Sequence, residues 1–283
     1  MVQDELKACL TSHLHELIRE RDPYIATQGY QYARYYIKTQ LERWGPVTSM
    51  VFKEKGRDHC NLCLNLPGQR DLPPIVVGAH YDTVPGSPGA DDNATGVAVL
   101  LEFARLFSEQ LPRHPVHLVA FDLEEYGLVG SRAYVETLRG HPIHLMLSLE
   151  MLGYCIHKSA AQPSQAYPLA GMKYIYPKTG NFIALIGNWQ TALTMMRLQR
   201  IFNNVAEVDC AWLPIVNRGL LLPDTRRSDH SPFWDAGYNA IMVTDTANLR
   251  NPHYHSPTDT FSTLDLDFLT QVCTGLQQGI AQM

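Results

Sequence analysis

Acidic residues and histidines gather at five places in this chain, and their types and spacing suit metal binding and proton transfer. His80-Tyr81-Asp82 closes the apolar run IVVGAHYD. In an extended chain residues i and i+2 share a face, and a metal-binding imidazole usually donates its other ring N–H to a carboxylate. His80 can therefore bind a metal while Asp82 orients it, although the same triplet also reads as an ordinary polar strand end. Asp91-Asp92, framed by glycines in GADDNATG, precedes an apolar helix. The bland reading is an N-cap in the favourable field of the helix terminus; against it, a lone cap does not need two acids, and a carboxylate can also bridge two cations. Glu124-Glu125 in FDLEEYGLVGS repel each other unless a positive charge lies near. Either they form a solvated turn, or one binds a metal and the other is free to move protons. Glu150 lies inside LMLSLEMLGY, where unpaired burial would be costly and a metal or a buried arginine removes that cost. His253-Tyr254-His255 follows in the Pro-rich stretch NPHYHSPTDT.

Other chemistries lack their motifs. His15-Glu16 suggests an HExxH metalloprotease helix, but the fifth position is Arg19. No G-x-S-x-G elbow and no P-loop occurs. Cys60-x-x-Cys63 falls in an alternating strand pattern that points the two thiols to opposite faces, and no second pair accompanies it. With 12 histidines in the chain, most are read as surface residues; His13, His15, His59, His114, His117, His141, His144 and His157 have no acidic company of the kind above. The formal net charge of -5 and the lack of a Lys/Arg cluster argue against a nucleic-acid partner.

The elements that must hold these clusters alternate. Residues 4–20 and 24–43 show helical periodicity, with Gly45-Pro46 as a stop. Strand-like runs follow at Val47–Phe52, Cys60–Leu66 and Ile75–His80, punctuated by Pro-Gly and Pro-Pro. A helix from about Ala94, a strand Val116–Asp122, a helix from about Leu128, strands Ile143–Glu150 and Phe182–Ile186, a helix over 189–206, a strand Ala240–Thr244 and a final helix from about Leu264 complete the series. Such alternation predicts an α/β three-layer sandwich, a mixed sheet with a parallel centre and helices on both faces. In folds of this kind ligands bind beyond the carboxyl ends of the strands, where the acids and histidines fall. At 283 residues the chain is read as one domain spanning 1–283, with insertion loops near 157–180 and 213–232.

Taken in order, GAHYDTVPGSPGADDNATG, FDLEEYGLVGS, SDHSPF and HYHSPTDT resemble the co-catalytic zinc exopeptidases, which include bacterial leucyl aminopeptidases, glutaminyl-peptide cyclotransferases and glutamate carboxypeptidases. The resemblance covers roughly residues 25–275. It implies two zinc ions per chain: His80 on the first, Asp92 bridging both, Glu125 and His255 on the second, and Glu150 at the first zinc's remaining carboxylate position, where many members have aspartate. It implies a cis peptide between Asp92 and Asn93, and Glu124 as general base acting on a water shared by zincs roughly 3.5 Å apart. Asp82 fits the orienting role argued from its spacing. Within SDHSPF, Asp229 either anchors a substrate amine or orients its loop. Arg226 and Arg227 either grip a substrate carboxylate or are solvated. Tyr, Trp and Leu residues in 167–189 and 212–222 either line an apolar specificity pocket or pack the core.

The favoured activity is an aminopeptidase, since the chain lacks the additional domains of many carboxypeptidase relatives. The rivals are a cyclotransferase working with one zinc, a carboxypeptidase on the same site, and a non-catalytic binding relative, which would be expected to have lost ligands. The expected partner is a peptide or amino-acyl substrate, with neither nucleic acid nor membrane. No signal peptide or spanning segment is visible, so a cytoplasmic location with reduced thiols is expected, a trimmed secreted form being the alternative.

Overall fold

Eight strands hydrogen-bond into one sheet in the computed structural model, which describes residues 2–157 and 164–283. Two helices, α1 (Val2–Leu17) and α2 (Thr27–Glu42), come first, then a hairpin of β1 (Val47–Glu54) and β2 (Arg57–Leu66). The alternating part runs β3 (Ile75–His80), α3 (Gly96–Glu109), β4 (Val116–Phe121), α4 (Val129–Thr137) and β5 (Leu145–Glu150). It continues with β6 (Phe182–Asn188), α5 (Ala192–Val205), β7 (Asp209–Ile215), α6 (His230–Asp235), β8 (Ala240–Thr244) and α7 (Leu266–Ala281).

The spatial order is β1-β2-β4-β3-β5-β8-β6-β7. β4, β3, β5 and β8 are parallel neighbours and form the centre. β2 runs antiparallel to β4 at one side, and β6 antiparallel to β8 at the other. Every residue of β3, β5 and β8 is buried, which is why these strands read as unbroken apolar runs. Alternate side chains divide between two cores. Ile75, Val77 and Ala79 join Leu145, Leu147 and Leu149 against α1, α2, α3, α5 and α7. Val76, Val119 and Met146 pack on the other face against Tyr134 and Val135 of α4 and Phe233 and Trp234 of α6. The expected three-layer α/β sandwich is thus the observed one.

Cys60 and Cys63 fall in these two opposite cores, and all six cysteines are free. One strand departs from expectation. β7 covers 209–215, so the irregular segment expected from 213 begins as the edge of the sheet; an edge strand tolerates Pro214, whose missing N–H a central strand would not. The long insertion near 157–180 is irregular where described, with a 3-10 turn at Ala170–Tyr174 and a hydrogen bond from Ala166 N to Leu249 O (3.0 Å); its residues 158–163 lie outside the described chain. Among the described residues no helix is long and apolar enough to cross a membrane.

Candidate metal centre

The carboxyl ends of the parallel strands bring the five clusters together. His80 ends β3, Glu124 and Glu125 lie in the turn after β4, Glu150 ends β5, Asp92 precedes α3, and His255 comes from the loop after β8. His80 Nε2 lies 3.2 Å from Asp92 Oδ1 and 3.6 Å from Glu150 Oε2. His255 Nε2 lies 3.2 Å from both Asp92 Oδ2 and Glu125 Oε2. Asp92 therefore stands between two imidazoles, one oxygen towards each, and two three-residue groups, His80–Asp92–Glu125 and His80–Glu124–Glu150, each offer ligand atoms within one ion's reach.

The supporting structure is built from hydrogen bonds to these carboxylates' neighbours. Asp82 is fully buried; its Oδ1 accepts the Glu124 amide at 3.1 Å and its Oδ2 the Glu125 amide at 3.2 Å. The same Oδ1 lies 3.5 Å from His80 Nδ1 and the Asp82 carbonyl is 3.2 Å from it, so a proton on Nδ1 leaves the Nε2 lone pair facing the cluster. One side chain thereby fixes both glutamates and the histidine. Asp91 does not face the centre. It accepts from Gly153 N and from Asn251 Nδ2, both at 2.8 Å. Asp259 takes the amides of Asp91 (2.9 Å) and Asp92 (3.1 Å). The Asp92–Asn93 peptide is cis, as the resemblance implied, and Asn93 bonds the Leu149 carbonyl and the Gly96 and Met151 amides. Gly89, at φ 61°, has no room for a side chain: a Cβ would stand 2.3 Å from Thr83 Cγ2 and 2.4 Å from the Asp92 carbonyl.

Arg21 is the least expected member. It is buried beneath the loops and donates to the carbonyls of Tyr81, Pro88 and Gly89, among others. Burial lowers its pKa to about 10, opposed by Asp259, Asp92 and Asp82. Nothing in a lone arginine before the first strand signals this role; Asp259, by contrast, sits inside the HYHSPTDT stretch already singled out. Ser228 is a second missed residue. Its hydroxyl donates to Glu150 Oε2 at 2.7 Å and meets Ser148 Oγ at 2.9 Å, which fixes the far end of the long Glu150 side chain.

Three donor atoms of the cluster, His80 Nε2, Asp92 Oδ1 and Glu125 Oε1, are buried without a hydrogen bond of good geometry, though carboxylates crowd around them. Buried polar atoms left so are costly, and divalent cations among two imidazoles and several carboxylates would satisfy them; nitrogen and oxygen ligands of this kind suit zinc. The electrostatics agree. Burial would lower the His80 pKa, yet Glu124, Glu150, Asp82 and Asp92 raise it well above the usual value. Burial likewise raises Glu125, with help from Asp92, to about 7, and raises Glu124 strongly, against the opposing pull of His80. Glu124 is 8% exposed and its carboxylate makes no hydrogen bond to any described residue.

The remaining expected residues divide. Asp229 is buried with both oxygens free of hydrogen bonds, and the nearby Ser131 hydroxyl donates to Leu128 instead. Burial raises its pKa to about 7, and His80 pulls the other way; at 1% exposure Asp229 faces the interior and not an open surface. Arg226 is held by Asp235 (2.6 Å) and the Arg218 carbonyl; Arg227, one residue on, is the arginine at the site. Its Nη2 donates to the Tyr254 hydroxyl at 3.0 Å, and the Tyr254 ring stacks on His255 with centroids 3.8 Å apart. An apolar cavity starts at Glu150, Arg227 and Tyr254 and is walled by Tyr167, Tyr176, Trp212 and Leu213. Of the Tyr, Trp and Leu residues in 167–189 and 212–222, these four thus line a pocket, whereas Leu169, Tyr174, Trp189, Leu220 and Leu221 are exposed and Leu185 packs in the core. Three histidines expected to lack acidic company have it from distant segments: His13 with Glu102 (3.3 Å), His59 with Asp122 (3.5 Å) and His157 with Asp265 (2.6 Å). Pairing across the fold, invisible to neighbours in sequence, is the reason.

Comparison with known proteins identifies the family. The model of peptidase family M28 matches residues 61–184 and 186–277. The chain is 37% identical over 262 residues to the uncharacterized protein YfbL of Escherichia coli, covering 85% of this chain and 76% of that one. It is 31% identical over 205 residues to the aminopeptidase YwaD of Bacillus subtilis, covering 70% of this chain but 38% of YwaD, so it spans well under half of that relative's length. Among solved structures, the glutaminyl cyclase of Macrostomum lignano superposes with a TM-score of 0.76 at 16% identity, over 100% of this chain and 91% of that one. The LapA aminopeptidase of Legionella pneumophila does so with 0.70 at 18%, over 99% and 72%. At such identities these two speak for the fold alone. The family match extends across most of the chain, and the protein belongs to peptidase family M28.

Proposed function

We propose that this protein is a zinc aminopeptidase that binds two ions per chain. The observation that carries the reading is the set of buried, unsatisfied donors between His80 and His255, with Asp92 presenting one oxygen to each imidazole. Membership of M28 and the similarity to an aminopeptidase support it. His80, Asp92 and Glu150 would hold one ion, and Asp92, Glu125 and His255 the other. Bound there, zinc supplies Lewis acidity that polarises the scissile carbonyl and makes a water acidic near neutral pH.

The protein's own groups do the rest. Glu124, unbonded and shielded from solvent, takes a proton from the attacking water and gives it to the nitrogen of the departing amine. Asp82 keeps Glu124 in place through its backbone amide and keeps His80 turned with Nε2 inward. Glu150 and Asp224, the two acids that line the cavity, favour the substrate's free ammonium, and its apolar walls take the N-terminal side chain. Tyr254 covers His255 from solvent on one side.

Glu124→Gln is the direct test. The substitution preserves shape and should leave two zincs per chain, measured by elemental analysis, while turnover of an amino-acyl amide falls by at least about a hundredfold. A variant with normal turnover would remove Glu124 from the mechanism.

A further inference from the structure

At the end of the sheet opposite the metal centre, the fold gathers a basic pocket from segments far apart in the sequence. Leu72 precedes β3, Arg113 and His114 precede β4, His144 precedes β5, and Arg197 and Arg200 come from α5; the last turn of α7 closes the wall. Arg197 and Arg200 are three residues apart on a helix and so share a face. Both are exposed, and neither makes an ion pair or hydrogen bond with any described residue. Arg113 donates one long hydrogen bond, to the main-chain oxygen of Met283 at 3.4 Å. The His114 ring, held by the Pro73 carbonyl at 2.7 Å, stacks on His144 with centroids 4.2 Å apart. No aspartate or glutamate is among the described residues that line the pocket. Burial, then His114 and Arg113, depress the pKa of His144, and no carboxylate acts against them.

Three guanidiniums around one concavity repel one another, in a chain whose net charge is -5. Among the described residues the carboxyl end of α7 and the Met283 main-chain oxygen oppose that repulsion, but they do not pair with Arg197 or Arg200. An external anion would, and guanidinium forks match phosphate oxygens in pairs. We propose that this pocket is a binding site for a small phosphate-bearing anion, distinct from the catalytic centre. Its concave shape favours a small ligand over a flat membrane surface.

The test titrates inorganic phosphate calorimetrically into the zinc-loaded protein and into the Arg197→Gln/Arg200→Gln double variant, at low and high ionic strength. Phosphate captured at the catalytic centre contributes equally to both proteins, so the difference between them belongs to the pocket. The proposal expects salt-sensitive binding that weakens roughly tenfold for each arginine removed, with a melting temperature no lower than that of the wild type and unchanged release of N-terminal residues. Arg132→Gln, on α4, serves as the control and should bind as the wild type does. Identical titrations for wild type and double variant, or no phosphate binding by either, would overturn it. So would capture by phosphatidic-acid vesicles without affinity for free phosphate. None of these readouts depends on the aminopeptidase assignment, which fails or stands separately.

Discussion

Replacing Asp82 with asparagine probes the part of the site that holds the glutamates and His80 in register. The native carboxylate accepts two backbone amides, one on each oxygen, and lies beside His80 Nδ1 with no access to solvent. Asparagine has the same shape but one acceptor. Whichever way it turns, its NH2 group faces an amide N–H and one buried donor goes unsatisfied. A hydrogen bond to a charged group contributes about 1.5–3 kcal/mol, and an orphaned buried donor costs a similar amount. We therefore expect the metal-free protein to lose roughly 2–3 kcal/mol in denaturant unfolding. The same displacement loosens Glu124 and His80, so metal affinity and kcat should each fall by about 10–100-fold, while KM changes little. Unfolding, competitive metal titration and steady-state amide hydrolysis measure the three effects. A variant whose stability matches wild type and whose metal affinity and kcat stay within about twofold would refute the positioning role of Asp82.

Three further outcomes follow from the geometry. Ala184 is a small residue in the wall of the apolar cavity, so Ala184→Phe should reduce release of N-terminal leucine or phenylalanine by at least about tenfold and spare alanine, read from kcat/KM across amino-acyl amides. Arg227 has no carboxylate partner among the described residues; Arg227→Met should raise KM roughly tenfold for free dipeptides, whose carboxylate it can meet, and leave dipeptide amides unaffected. His230 is buried, and burial, with Arg226 nearby, lowers its pKa to about 4. The unfolded chain takes up a proton near pH 6.5 that the native state refuses, so this residue makes stability fall as pH drops from about 6.5 to 4, by up to roughly 3 kcal/mol. In the metal-free protein, His230→Phe should flatten that fall relative to wild type in denaturant titrations across the window.

The parallel centre of the sheet was legible because full burial makes β3, β5 and β8 unbroken apolar runs, and the reactive residues stand where those runs stop. Their chemical types sufficed to suggest metal chemistry, and the order of the clusters suggested the family. What sequence could not supply were relations between distant segments. Arg21 reaches loops some 60 residues away and carries no local mark. Ser228 finds Glu150 only because the segment before α6 folds back over β5. In an irregular stretch no periodicity tells which of two adjacent arginines turns inwards, and it is Arg227 that faces the cavity while Arg226 pairs with Asp235. Pro214 and the reversal of β6 and β7 hid the sheet's edge for a similar reason: pairing direction leaves no trace in the alternation of side chains.

The central claim is tested most directly by incubating the zinc-loaded protein with a panel of amino-acyl and dipeptide amides, with and without a chelator, and measuring release of the N-terminal residue. Release should favour large apolar N-termini, stop on chelation and return when zinc is restored. No release from any member of the panel, by protein shown to hold two zincs, would contradict the claim and move the assignment to carboxypeptidase or cyclotransferase chemistry at the same residues.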